Sequence, residues 1–162
     1  MGISVLVLVL GLGGLGVTFG VKYAVGWVTG NEEGVDRLAA VAQSQNSGLR
    51  LSVEGFEETR HFTRLTVTAT NGVSHSLSLP LFRNCALRDE RGSTIMADAF
   101  RSDWADSIPP GTTQRGIIVF PGHLPGGVKT AALSFATVFG QGFEGPDSIT
   151  LGGIRLRPRE PG

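Results

Sequence analysis

The pattern of apolar and polar residues divides the chain into two parts, and the first is apolar throughout. The first 21 residues contain no ionisable side chain. About 20 such residues are needed to cross a hydrocarbon core of roughly 30 Å as a helix. Lys22 follows this stretch, and Tyr23 and Trp27 come soon after, as is typical of a membrane interface. The pattern therefore predicts one transmembrane helix over residues 1–29.

From Leu49 onward, apolar residues alternate with polar ones. The segment RLTVTAT places Leu65, Val67 and Ala69 on one face and threonines on the other. This alternation predicts half-buried strands. About eight such strands, separated by turns rich in Gly and Pro, predict an antiparallel β-sandwich over residues 49–157. Residues 158–162 are expected to form a flexible tail.

Between these parts, residues 30–48 have a weak helical pattern. Asn31 is a suitable cap, and Glu32 and Glu33 favour the positive end of a helix dipole. Four apolar residues fall on one helical face: Val35, Leu38, Ala39 and Ala42. The pattern predicts a short juxtamembrane helix followed by a linker.

Composition narrows the function without naming it. Lys plus Arg and Asp plus Glu both number 14, so net charge gives no reason to expect nucleic acid as a partner. Cys85 is the only cysteine, which excludes a disulfide within the chain and a zinc site built on several cysteines. In its strand-like surroundings, Cys85 is expected to act as a small buried hydrophobe.

The glycines of the apolar stretch allow a different interpretation. Gly11, Gly13 and Gly16 have the spacing G-x-G-x-x-G of a dinucleotide-binding turn, and this local sequence resembles the start of ubiquitin-activating adenylyltransferases. A Rossmann unit also needs an amphipathic helix and a second strand that ends near an acidic residue. Gly20 and later glycines interrupt the expected helix. A nucleotide-binding enzyme is therefore the alternative to a membrane segment.

Within a membrane helix, the same glycines have another use. Gly13, Gly16 and Gly20 form a small-residue face that would let two helices approach closely in lipid. We expect helix-mediated self-association on this face; the alternative is that the glycines only soften an anchor.

The start of the chain has the features of a retained anchor more than those of a cleaved signal peptide. The segment MGIS lacks the basic residues of a signal peptide, and the small-residue pattern near YAVGWVTG makes a poor cleavage site. Lys22 and Arg37 follow the predicted span and no Lys or Arg precedes it, so a positive-inside count alone would place the C-terminal part in the cytoplasm.

The turn residues of the second part form a familiar series. A strand ends in an Asn turn, a later strand reads apolar-x-Leu-x-Asp before a Gly, and a Pro-Gly turn precedes a strand ending in Phe-Pro. The matching positions are Asn71, Cys85, Leu87, Asp89, Gly92, Pro110, Gly111, Phe120 and Pro121. Over about 105 residues this series resembles an immunoglobulin-like domain of unknown function in exported or membrane-anchored bacterial proteins, including secreted mycobacterial immunogenic antigens. The resemblance implies an extracytoplasmic β-sandwich for protein contact.

Candidate chemistry is sparse. His61, His75 and His123 are scattered and match no catalytic motif. An acidic set has oxygen ligands for Ca²⁺ but lacks EF-hand spacing: Asp89, Glu90, Asp98, Asp103 and Asp106. We therefore expect no metal site and no cofactor.

Trp104, in the polar segment RSDWADS, is the most distinctive single residue. It either anchors a partner or seals the end of the sandwich core. The residues expected to contact a protein partner are Trp104, Asp103, Asp106 and His123. The sequence thus predicts a single-pass membrane protein that is a non-enzymatic binding or scaffold module, or an accessory subunit of a membrane complex, with its C-terminal domain outside the cytoplasm.

Overall fold

The computed structural model describes residues 32–140 and 144–159. The unit considered below is Gly34–Gly162. The predicted transmembrane helix, the G-x-G-x-x-G turn and the proposed packing glycines Gly13, Gly16 and Gly20 all lie outside the described residues. Within the described ranges, no helix has both the length and the apolar character needed to span a bilayer.

The described residues form a mainly β, antiparallel fold, as the alternating pattern predicted. The strands are β1 (Gly34–Asp36), β2 (Ala42–Asn46), β3 (Leu49–Thr59), β4 (Phe62–Asn71), β5 (Leu77–Ser78), β6 (Cys85–Asp89), β7 (Thr94–Met96), β8 (Ser107–Ile108), β9 (Thr113–Pro121), β10 (Thr130–Phe135), β11 (Phe139–Gly140) and β12 (Ile149–Arg155). One sheet has the order β1-β3-β4-β9, with β2 also paired to β3; a second has the order β12-β10-β6-β7. A small third sheet has the order β11-β5-β8.

Alternation along β3 and β4 explains how the first sheet meets the core. Leu65, Val67 and Ala69 of β4 are fully buried, as predicted. On β3 the buried positions change phase, because the pairing with β4 shifts between Val53 and Gly55. This β-bulge returns Phe56 to the inward face, where it is fully buried. Without the extra residue, Phe56 would point to solvent.

The two larger sheets enclose one hydrophobic core. Its largest aromatic members are Phe56 from β3, Phe120 from β9 and Phe135 from β10. Cys85, at the start of β6, is also fully buried in this core, so the expectation of a small buried hydrophobe is confirmed. Burial raises the pKa of the Cys85 thiol, because the thiolate would lose its hydration.

Cys85 should therefore resist thiol reagents while the domain is folded. The thiolate is the reactive species, and here it is both inaccessible and disfavoured. We expect labelling by a disulfide reagent at pH 8 to be on the order of 100-fold slower in the native protein than in denaturant. The labelling rate is measured by the absorbance of the thiolate that the reagent releases. Equal labelling rates in the two conditions would contradict the buried position of Cys85.

Within the described residues 32–48, the predicted short helix is wrong. Residues 34–36 form β1 and residues 42–46 form β2, and both pair with β3. The supposed helical face is also divided, because Leu38 is buried while Val35 is 70% exposed. The long edge of β3 offers unpaired backbone groups, and satisfying them outweighs a weak local helical preference. The sandwich therefore includes strands that precede Leu49.

Segments that cross between the sheets close both lateral edges of the sandwich. On one side, Leu38 forms a bridge with Leu156, and the backbone nitrogen of Arg157 donates to the Arg37 carbonyl at 2.7 Å. On the other side, the nitrogen of Asp98 donates to the Val119 carbonyl at 2.7 Å. The segment that continues from Asp98 then covers the edge of β9. Covered edges protect a sheet from pairing with other chains.

Candidate functional site

Trp104 packs against the core. Its indole nitrogen donates to the Leu79 carbonyl at 3.0 Å, and its ring stacks on Phe135 with centroids 6.0 Å apart. It also lies over Gly116, where an added Cβ would come within 2.8 Å of the indole. These contacts match the interpretation in which Trp104 seals the core. Its role in partner binding stays a prediction.

The other three predicted partner residues do not converge with Trp104 on one site. The backbone of Asp103 bridges Ile117 on β9, and Asp106 accepts the Leu79 nitrogen through its carbonyl. His123 lies beyond the far end of β9, where its ring bonds the Thr59 carbonyl. Trp104 lies over residue 116 and His123 lies just beyond residue 121, so five residue steps along β9 separate them, a distance of about 17 Å.

Three of the five acidic residues considered for Ca²⁺ have carboxylates that bond neighbouring groups: Asp89, Glu90 and Asp98. One carboxylate oxygen of Asp89 accepts the backbone nitrogens of Arg91 and Ser93, at 2.8 and 2.9 Å, and so holds the turn after β6. Asp98 forms an ion pair with Arg101. Within residues 32–140 and 144–159, no three His, Cys, Asp or Glu side chains are grouped to hold a metal ion.

A network of three charged side chains, which sequence analysis missed, joins the two sheets at one end. Glu58 accepts from Arg37 at 2.6 Å and from Arg159 at 2.7 Å. Arg37, only 3% exposed, also donates twice to the Arg157 carbonyl. Arg159 donates to the Leu124 carbonyl at 2.9 Å as well. Arg159 belongs to the predicted flexible tail, so that prediction is wrong at this residue; residues 160–162 lie outside the described ranges.

The network determines the ionisation of Glu58. Burial by itself would raise the pKa of Glu58, but hydrogen bonds and positive charge from Arg159 and Arg37 outweigh burial and lower it. Because the folded pKa is below the unfolded one, the ionised carboxylate stabilises the fold above the unfolded pKa, and that contribution is lost as the pH falls through the folded value.

This shift predicts a pH-dependent mutational effect. The difference in unfolding free energy between the native protein and Glu58→Gln should be largest near neutral pH. It should narrow as the pH falls from about 4.3 through the lower folded pKa of Glu58, because the carboxyl of the unfolded chain takes up a proton first and the folded carboxyl follows. Denaturant titrations at several pH values would measure the difference, and a gap that stays constant down to pH 2 would contradict this account.

The same end of the sandwich carries a patch of exposed cations, which we call the basic patch: Arg88, Arg91, Lys129, Arg155 and Arg157. None of these five side chains forms an ion pair with a described residue. Strand pairing brings them together. Arg155 pairs with Thr130, Arg88 pairs with Ala132, and the Leu156 nitrogen donates to the Lys129 carbonyl.

Glu90, an acidic residue beside the patch, has its carboxylate engaged locally. It accepts the Lys129 backbone nitrogen at 2.9 Å and the Thr130 hydroxyl at 2.8 Å. These two bonds, with a contribution from the charge of Arg91, lower the pKa of Glu90. It therefore stays ionised and holds the β10 strand start in place. Asp89 and Glu90 carry two negative charges beside five cations that form no ion pair with a described residue, so the patch is positive.

A shallow pocket of about 250 Å³ opens beside the patch. Its lining includes Arg37, Lys129 and Arg159, with the backbone of Gly126 and Gly127 as one wall. Gly127 adopts a left-handed conformation with φ of +83°, which favours glycine, and an added Cβ would lie 3.7 Å from the Arg91 guanidinium. The pocket therefore brings Arg37 and Arg159, which share the Glu58 carboxylate, beside the patch.

The opposite end of the sandwich is acidic. Exposed carboxylates there are Asp106, Glu144 and Asp147. Glu144 accepts from both the nitrogen and the hydroxyl of Ser74, which holds it beside the turn after β4. The basic patch is thus a local excess of positive charge on a chain with zero net charge.

The comparisons with known proteins agree with the fold class. No family model and no curated protein matches the chain. A solved Bacillus subtilis structure, described as a "putative lipoprotein (ycdA)", aligns with a TM-score of 0.51 and 11% sequence identity. The alignment covers 70% of this chain and 38% of that protein, so this chain corresponds to much less than half of its length. At this identity the likeness concerns the β-rich fold alone.

Proposed function

We propose that the chain is a membrane-tethered, non-enzymatic binding or scaffold module, or an accessory subunit of a membrane complex. One observation supports it most. An apolar stretch of 21 residues without an ionisable side chain precedes a β-sandwich whose first strand begins at the basic end, where Gly34 pairs with Thr59. A span of that length suits a lipid-crossing helix, and the attached domain has its own core.

The strand order supports an immunoglobulin-like sandwich within this proposal. In the strand letters used for immunoglobulin domains, the order β3-β4-β9 matches A, B and E. The order β12-β10-β6-β7 matches G, F, C and C′. One departure is that no strand D lies beside β9 in the described residues; the segment after Asp98 lies there instead. The resemblance to exported bacterial domains supports a sandwich outside the cytoplasm, and the description of the Bacillus protein as a "putative lipoprotein" is consistent with a membrane-associated location.

The surface proposed for protein contact lies toward the acidic end. Phe82 is 71% exposed and Phe139 is 56% exposed, and the segments that carry them are joined by hydrogen bonds between Asn84 and Thr137. Exposed aromatic side chains are enriched in protein interfaces. Asp106, one of the predicted partner residues, belongs to the same end. Helix self-association through Gly13, Gly16 and Gly20 stays part of the proposal.

Fractionation of cells that express the full chain tests the tether. We expect the protein to stay with membranes through salt and alkaline carbonate washes and to be released only by detergent. The double variant Val7→Arg/Leu10→Arg should lose this behaviour, because each arginine near a helix centre costs about 3 kcal/mol of insertion free energy. The matched control Val35→Arg/Val41→Arg, at two exposed apolar positions of the sandwich, should stay membrane-bound.

Release of the unmodified chain by carbonate alone would overturn the tether. A rise in melting temperature on addition of NAD or ATP would favour the nucleotide-binding alternative, since a ligand that binds only the folded state stabilises it.

A further inference from the structure

We infer that the basic patch binds the anionic phospholipid headgroups of the membrane to which the chain is tethered, so that the sandwich rests on the bilayer with its acidic end outward. This inference rests on the proposed function. It adds a ligand class, the lipid phosphate, and a fixed orientation of the domain.

The surface of the basic patch carries an excess of positive charge. Arg88, Arg91, Lys129, Arg155 and Arg157 are exposed, and none forms an ion pair with a described residue. Clusters of four or more basic residues next to a membrane segment attract anionic lipids, and the attraction fades within a Debye length. A chain with zero net charge has no general affinity for polyanions. Binding to an anionic membrane therefore depends on the local positive charge of the basic patch.

The patch lies at the end of the sandwich that is nearest in the chain to the apolar stretch. Gly34 pairs with Thr59, so the domain's first strand begins at the end that carries the patch. Residues 22–33 are the twelve residues between the apolar stretch and Gly34. Even fully extended they reach about 40 Å. A tether of this length keeps the basic end within reach of the headgroups, and a hydrophobic anchor combined with a basic patch gives firmer attachment than either alone.

Hydrogen bonds hold the backbone that carries the patch. Arg155 and Arg88 lie on paired strands, opposite Thr130 and Ala132. The other three lie just outside the strands, and each backbone nitrogen donates a hydrogen bond: Arg91 to Asp89, Lys129 to Glu90 and Arg157 to the Arg37 carbonyl. The loop before β10 is held by Arg159, which bonds both Glu58 and the Leu124 carbonyl. The cations therefore sit on a rigid support and need little ordering when they meet a charged surface.

The test uses the full chain with one introduced cysteine. Cys85 is buried, so a probe attaches to Ser93→Cys in the turn beside Arg91, or to Ser76→Cys at the acidic end; both serines are exposed. Energy transfer to headgroup-labelled lipid is measured in vesicles of phosphatidylcholine alone or with about 30% phosphatidylglycerol.

The expected result is that energy transfer at position 93 rises with phosphatidylglycerol, with the docked fraction at least about threefold higher, and falls again in about 0.5 M NaCl. Position 76 should not respond. Arg91→Gln/Lys129→Gln should lower the docked-to-undocked ratio about tenfold. The control Arg50→Gln/Arg83→Gln removes the same charge from exposed positions toward the acidic end and should behave like the parent.

Equal transfer at position 93 in both lipid compositions, while the chain still resists carbonate extraction, would overturn this inference and leave the tether intact. Loss of carbonate resistance would instead overturn the tether. Release of the docked domain by duplex DNA at a phosphate concentration equal to that of the phosphatidylglycerol would overturn the choice of lipid as the ligand, and failure of DNA to release it would support that choice.

Discussion

Replacing Glu58 by glutamine is expected to lower the free energy of unfolding by about 3–5 kcal/mol near neutral pH. The Arg37 side chain is only 4% exposed, and Glu58 is its ion-pair partner at 2.6 Å. Removing the negative charge leaves a buried guanidinium without its counter-charge, while the change in volume is small. The effect should appear in denaturant titrations of the full chain in mild detergent, followed by far-ultraviolet circular dichroism.

Glu54→Gln is the matched control. Glu54 pairs with Arg115 at 3.0 Å, but Arg115 is 69% exposed, so loss of this pair should cost less than about 1 kcal/mol. If the two variants were equally stable, the buried network would not hold the two sheets together as described.

Truncation of Trp104 to alanine is expected to cost about 3 kcal/mol of unfolding free energy. The indole fills the space over Gly116 and Phe135, and its removal also leaves the Leu79 carbonyl without its donor. Trp104→Phe keeps part of the packing but loses the hydrogen bond, so it should cost about 1 kcal/mol.

Phe100→Ala provides the comparison, because Phe100 is 90% exposed on the same segment and should change stability by less than about 0.5 kcal/mol. Full stability of Trp104→Ala, measured in the same titrations, would contradict the core role. That result would favour the interpretation in which Trp104 binds a partner.

The sequence was most informative where a local pattern alone determined the strand or turn that forms. Alternation identified β3 and β4 because one face of each strand is buried, and the turn after β6 was predictable from Asp89 and Gly92. It failed at residues 34–46, because pairing with the edge of β3 is a tertiary interaction that a helical pattern cannot reveal. The bulge between Val53 and Gly55 was not predictable for the same reason. It depends on the pairing of β3 with β4, and its effect is to return Phe56 to the core.

The charged network was beyond local analysis. Arg37 and Glu58 are 21 residues apart in the chain, and Glu58 and Arg159 are 101 apart, so no spacing could join them. One partial signal was present. Arg155, Arg157 and Arg159 alternate at the end of the chain, and their alternation places cations at the end of β12. Combined with Arg88, Arg91 and Lys129, which the fold brings beside them, this alternation produces the basic end.

Orientation at the bilayer is the most direct test of the whole account. The full chain, placed in lipid nanodiscs with paramagnetic headgroups, would be measured by loss of amide signal intensity in nuclear magnetic resonance spectra. The account predicts strong losses in turn 89–93 and loop 122–129, and none in turns 71–76 and 109–112. Losses at the acidic end instead, or no losses in the domain, would contradict a sandwich held to the membrane by its basic end.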